Sequence, residues 1–153
     1  MVALLGTLPF TATLAVVAAV VLVRAGRATD AAVLVVSVIA IYIAVHVTKA
    51  ATDRPRPPDP LAKASLSAFP SGHSAYSTIY VAVALATRRA ALVAVAIVLA
   101  LAIGATRVYL RVHWATDVLA GWALGAAIFG VATAIAVAVG RFRNNDPRTV
   151  PWP

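Results

Sequence analysis

Two histidines in this chain keep company that can move protons and hold oxyanions. His73 closes the stretch Pro70-Ser71-Gly72-His73, just ahead of an uncharged run. Pro70 stops whatever precedes it, and Ser71 can cap a helix beginning there. The amides of Gly72 and His73 then face outward at the positive end of that helix, a seat for an oxyanion or phosphate, and Gly72 permits close backbone approach. His113 stands four residues before Asp117, a spacing that puts both on one helical face, where a carboxylate can fix the imidazole tautomer and raise its basicity. Arg107, shortly before, offers a planar donor fork suited to phosphate.

Taken singly, each motif is ordinary: Ser-Gly-His before a helix is more often only a cap, and a His-Asp pair more often a structural hydrogen bond. As a set they form the inventory that phosphoryl transfer requires. It needs a nucleophile, an acid for the leaving oxygen, and positive charge around the equatorial oxygens. Two histidines, one aligned aspartate and crowded cations make a poor divalent site, and the chain has no cysteine to supply a thiolate. The chemistry is therefore read as independent of metal, with no cofactor.

The elements that must position these residues are apolar. Of 153 residues, 62% are hydrophobic and only 12% charged, with a mean hydropathy of +0.93. That composition belongs to a membrane protein. The net charge of +8 is spread singly or in pairs between apolar runs and makes no continuous basic face, which excludes nucleic acid as a partner. Uncharged runs cover Met1 to Val23, Ala31 to Thr48, Ser74 to Thr87, Ala90 to Thr106 and Val118 to Gly140. They predict an all-α, polytopic bundle of about five spanning helices, the first and last long enough alone and the third the weakest by length. The first run lacks the basic start of a signal peptide and is read as a retained helix. The runs show no polar stripe, so their helices meet lipid or one another on every face. Ala120, Gly121, Gly125 and Gly130 would let backbones approach closely.

Orientation follows from the short loops. Arg24 and Arg27, then Arg88 and Arg89, then Arg141, Arg143 and Arg148 fall on one side of a five-span chain, which the positive-inside rule makes cytoplasmic, the C-terminus included. The loops Lys49 to His73 and Arg107 to Asp117 then share the outer face. They should be poor in positive charge, yet they hold Lys49, Arg54, Arg56, Lys63, Arg107 and Arg111. Solvated or snorkelling side chains are one account of that excess; a shared anionic ligand is the simplest.

At this point the residues resemble a known family, the type 2 phosphatidic acid phosphatases, which share a core with vanadium haloperoxidases. Its three motifs, K-x6-RP, PSGH and SR-x5-H-x3-D, are matched in order and at full spacing. The chain reads Lys49-x6-Arg56-Pro57, Pro70-Ser71-Gly72-His73 and Arg107-x5-His113-x3-Asp117, with Thr106 in place of the family serine. The resemblance implies that His113 forms a phosphohistidine, that Asp117 orients it, and that His73 protonates the leaving alcohol and then activates water. It implies a phosphate clamp of Lys49, Arg56 and Arg107, completed by Ser71 and the Gly72 amide, acting without metal. Membrane members have six spanning helices; five are counted here, the difference falling before the first motif.

The chain is thus read as one integral membrane domain over residues 1–153, with its motif region at 49–117. Its expected function is a multi-pass cell-membrane lipid-phosphate phosphatase acting at the outer interface on a phosphomonoester or pyrophosphate. Polyprenyl phosphates or diphosphates and phosphatidic acid are the lipids in view, entering laterally from the bilayer. Its rivals are a phosphotransferase using the same histidine and a membrane protein that only binds or transports an anion. Near the site, Arg54, Lys63, Tyr109 and Arg111 are expected to be solvated, and His46 to make a satisfied hydrogen bond. Both Arg54 and Arg56 precede proline, so the helix before them should end near Asp53. In a three-residue polyproline repeat the two face different ways, and the x6 spacing assigns Arg56 to the clamp and leaves Arg54 a bystander.

Overall fold

The computed structural model describes residues 2–64 and 67–144, and all of their regular structure is helical. After a short α1 (Val2–Leu5) come α2 (Leu8–Arg24), α3 (Ala28–Thr52), α4 (Gly72–Ala86), α5 (Ala90–Tyr109) and α6 (Ala115–Asn144). The five long helices answer to the five apolar runs. Arg148 and the side chain of Arg143 lie outside the described residues, as does the C-terminal end whose side the charge rule assigned.

Two expectations need correction. The first apolar run is not one helix: it breaks between Leu5 and Leu8, and Pro9 sits in the opening turn of α2. Proline has no amide to donate and a fixed φ, so it fits a first turn and sets the start of α2 there. What remains is 17 residues, apolar but short. By length and composition, three described helices can cross a bilayer: Ala28–Thr52, Ala90–Tyr109 and Ala115–Arg141. The second correction concerns α4. With its N-cap Ser71 it does carry a polar stripe, continued by Ser74 and Ser77, and all three are buried. It can be polar because its neighbours cover it: among its residues only Leu85 is exposed.

Helix α4 forms the centre of the bundle. Ala75, Tyr76, Ile79 and Ala82 pack with Leu34, Ile41 and Val45 of α3 and Ala15 of α2. Against α6 the approach is closer still. A Cβ at Gly121 would lie 2.5 Å from the Ser71 carbonyl oxygen, and one at Gly125 would collide with Thr78 and the Ala75 carbonyl. Small residues that admit a neighbouring backbone are the usual basis of helix packing in lipid. Gly130, expected to act likewise, faces open space. Outward, Val36, Ile43, Val95, Val98, Val131 and Ile135 are each more than half exposed, the surface a bilayer would cover.

The two ends of the bundle differ. At one, Arg27 pairs with Asp30 and its Nη1 donates to the Ala86 carbonyl at 2.7 Å, joining the α2–α3 turn to the end of α4. At the other, α3 stops at Thr52, where Asp53 turns left-handed (φ 39°) ahead of Arg54-Pro55, as the pre-proline restriction anticipates. The chain from there folds back over the α5–α6 junction. The Leu61 amide donates to the Leu110 carbonyl and the Ser71 amide to the Asp117 carbonyl, both at 2.9 Å. The two motif-bearing loops therefore form one surface.

Candidate active site

Each expected site residue comes from a helix end or from a loop pinned to one. Lys49 lies in the last turn of α3 and donates from Nζ to the Ser67 carbonyl at 2.6 Å. Arg56 reaches the Val112 carbonyl through Nη1 and the Ser67 carbonyl through Nη2 at 3.5 Å. Ser71 is the N-cap of α4, and its Oγ accepts from the Ser74 amide at 3.4 Å and the Ser74 hydroxyl at 3.0 Å. Gly72 and His73 open that helix. Arg107, in the last turn of α5, is 6% exposed; its Nε donates to Thr106 Oγ1 at 3.2 Å. At Thr106 the atom that Arg107 uses is the hydroxyl, which serine and threonine share.

His113 sits in the link between α5 and α6, 6% exposed, with its amide on the Arg107 carbonyl at 3.3 Å. Its Nδ1 is 3.6 Å from Asp117 Oδ2, an approach longer than a hydrogen bond. Asp117, fully buried, takes the Trp114 amide on Oδ2 at 2.8 Å, so it also closes the first turn of α6 from the N3 position. Among the described residues, two buried side-chain nitrogens have no hydrogen-bond partner: Arg107 Nη2 and His113 Nδ1.

Burial pushes the His113 imidazole down to about 3, helped by the Arg56 and Lys49 charges and then by His73, against the Ala68 backbone, which favours the proton. Burial likewise lowers Arg56, with the Asp117 carboxylate opposing it. Burial also pushes the His73 imidazole down to about 4, with the Arg107 and Lys49 charges adding to it. These mutual effects place the two histidines and the cations in one electrostatic neighbourhood. A neutral imidazole with a free lone pair is the form that can attack.

The sign of the His113 shift has a consequence for stability. Because the folded-state value lies below the ordinary 6.5, the unfolded chain binds this proton first as the pH falls. The stability tied to neutral His113 is complete above about pH 6.5 and drains away toward pH 3. The thermal midpoint in detergent should therefore fall less steeply between pH 6.5 and 4 for His113→Asn than for the unsubstituted protein. Parallel slopes would contradict the shift.

Several expectations fall into place here and one does not. Lys49, Arg56, Ser71, Gly72, His73, Arg107, His113 and Asp117 all stand at the same end of the bundle. Lys63, Tyr109 and Arg111 are exposed, as anticipated. His46 Nδ1 lies 2.9 Å from the Tyr42 carbonyl and its ring packs on Tyr42. Arg54 is no bystander: its Nη1 donates to Asp117 Oδ1 at 2.7 Å and to Thr116 Oγ1 at 3.0 Å. The two arginines do face different partners, but the loop curls over the start of α6 and brings both inward. Sequence reasoning also missed Ser67, whose carbonyl takes Lys49 and Arg56 and whose hydroxyl takes the Arg54 amide at 2.9 Å. It missed Gly6 as well, where a Cβ would stand 3.0 Å from the His73 ring. The doubled Arg-Pro was a visible clue to Arg54; Ser67 and Gly6 had none.

Comparison with known proteins gives three matches. The family model described as the PAP2 superfamily matches residues 30–141. Phosphatidylglycerophosphatase B of Bacillus subtilis (strain 168) is 35% identical over 95 residues, covering 56% of this chain and 47% of that protein. The chain thus spans about half the length of that curated relative. The crystal structure of a transmembrane PAP2-type phosphatidylglycerolphosphate phosphatase from Bacillus subtilis superposes with a TM-score of 0.82 at 28% identity, covering 92% of this chain and 76% of that one.

Proposed function

The chain belongs to the PAP2 superfamily, and from that premise we propose that it is a multi-pass membrane phosphatase acting on a lipid phosphomonoester through a phosphohistidine on His113. Residues 1–153 act as one domain around the motif region 49–117. The observation that carries the reading is the pair of buried, unpartnered nitrogens, Arg107 Nη2 and His113 Nδ1, in a neighbourhood also charged by Lys49 and Arg56. Buried polar atoms are paired in folded proteins unless something else completes them. A phosphate would do so for Arg107, and a closer Asp117 would for His113 once the ring is recruited.

In the proposed reaction the neutral His113 ring attacks phosphorus while Lys49, Arg56 and Arg107 hold the equatorial oxygens, where charge develops. The Ser71 oxygen already accepts two hydrogen bonds from Ser74, so its remaining capacity is its own proton, which it donates toward the phosphate. Packing alone does not require glycine at 72, since a Cβ there would make only ordinary contacts from 3.4 Å outward; close approach of phosphate to the backbone does. The bound phosphate offsets the Arg107 and Lys49 charges that oppose protonation of His73, so His73 takes up a proton with the substrate and gives it to the departing alcohol. It then takes a proton from water as that water breaks the P–N bond and phosphate leaves. The site faces the extracytoplasmic side, with the lipid tail held in the bilayer.

The similarity to Bacillus subtilis phosphatidylglycerophosphatase supports a glycerophospholipid phosphomonoester as the substrate, phosphatidylglycerophosphate first and phosphatidic acid second. The test is purified protein in detergent with excess EDTA, offered these two lipids and polyprenyl phosphate and diphosphate. Release of phosphate should be fastest from phosphatidylglycerophosphate and indifferent to the chelator. Release from none of the lipids would overturn the reading, and a strong preference for the polyprenyl compounds would overturn the substrate.

A further inference from the structure

Asp117 is held at both oxygens, one by the residue that precedes its own helix and the other by a side chain distant in sequence. Oδ2 takes the Trp114 amide at 2.8 Å and lies 3.6 Å from His113 Nδ1. Oδ1 takes Arg54 Nη1 at 2.7 Å, a side chain from 63 positions earlier that also donates to the neighbouring Thr116 hydroxyl. The Trp114 indole donates to the Pro55 carbonyl at 3.1 Å, so the residue after Arg54 is tied to the same turn of α6. The carboxylate itself is fully buried.

We propose that Arg54 is a positioning residue for the nucleophile: by occupying Asp117 Oδ1 it fixes the carboxylate so that Oδ2 alone faces the His113 ring and sets its tautomer and direction. The torsion that turns a carboxylate is soft and nearly two-fold, so a single backbone hydrogen bond does not define it. The charges of Lys49 and Arg56 already interact with Asp117. Without Arg54, the carboxylate is drawn toward those cations, away from His113 and at the expense of the phosphate clamp. A charge-assisted donor of fixed shape, held in place by its second bond to the Thr116 hydroxyl, prevents this. Arg54 thus acts through Asp117 and does not touch the substrate.

The proposal rests on the phosphatase reading for the word nucleophile, and its test has an arm that does not. In the activity arm, Arg54→Ala lowers kcat by about 10²-fold, the scale of a misplaced reacting group, with KM nearly unchanged. Arg54→Lys, which keeps one donor for Oδ1, recovers most of the loss. In an Asp117→Asn background, Arg54→Ala costs nothing further, because the two act as a unit. In the second arm, the ring nitrogens of 15N-histidine-labelled protein are followed by NMR in micelles, with His113 assigned from His113→Asn. Its resonances move in Arg54→Ala, return in Arg54→Lys and stay put in Lys63→Ala. An additive loss with Asp117→Asn, a raised KM at constant kcat, or an unmoved His113 ring would each overturn the proposal. Should the unsubstituted protein hydrolyse no lipid phosphate, the phosphatase reading fails and the ring resonances still decide what Arg54 does. If Arg54→Ala does not fold, the Arg54→Lys spectrum and its kcat decide alone.

Discussion

His113→Ala should abolish phosphate release from every lipid phosphate the protein accepts, by at least about 10⁴-fold in kcat, as expected when a covalent nucleophile is removed. No neighbouring group can replace it. His73 opens α4 and approaches from the other motif; Asp117 is buried and engaged at both oxygens. The loss should be accompanied by disappearance of an acid-labile, base-stable phosphoenzyme in substrate labelled with radioactive phosphate. Release continuing at a comparable rate would mean that water attacks directly and that His113 only binds, contrary to the covalent scheme. Because the imidazole makes no hydrogen bond at Nδ1, alanine gives up only the ring's interaction with the Ala68 backbone, and the variant should fold.

Arg107→Met should separate activity from stability. The guanidinium is buried with Nη2 unpartnered, and Thr106 offers it only a hydroxyl. A buried donor without a partner costs about 1–3 kcal/mol and more when charged. A methionine of similar length fills the same space without that cost. We expect turnover to fall by about 10² to 10³, the range for losing one donor to developing oxyanion charge, while the thermal midpoint in detergent holds or rises. Vanadate, which mimics the pentavalent phosphorus, should raise the midpoint of the unsubstituted protein by mass action and leave the variant unmoved. A variant both inactive and unstable would show that Arg107 supports the fold and not the phosphate.

Much of this molecule was legible because membrane proteins write their elements in apolar runs and their chemistry in the few polar residues between. The five runs became five long helices, Ser71 became the cap it was expected to be, and α3 stopped where the first Arg-Pro required. The failures have physical causes. A run of uncharged residues does not reveal an internal proline as a helix start, so α1 and α2 were read as one. A polyproline repeat predicts which way neighbouring side chains leave the backbone, but not where the backbone itself is led; tertiary bonds from Ser67 and Trp114 bend the loop over α6 and turn Arg54 inward. Gly121 and Gly130 look alike in sequence, yet only the first meets a neighbouring helix. Composition gives the capacity for close approach, and the partner decides whether it is used.

The burial of α4 has a consequence for how the protein is made. At 15 residues it is shorter than the about 20 that insert on their own, and it carries Ser74, Ser77 and Tyr76 into the interior. Offered alone to a translocon, such a segment has little reason to leave the aqueous channel for lipid. Its serines donate within α4, and Ser77 takes the Trp122 indole of α6 at 3.2 Å, a partner that does not exist until α6 has been synthesised. The helix that opens with Ser71, Gly72 and His73 should therefore gain its full set of partners only after α6 has been made.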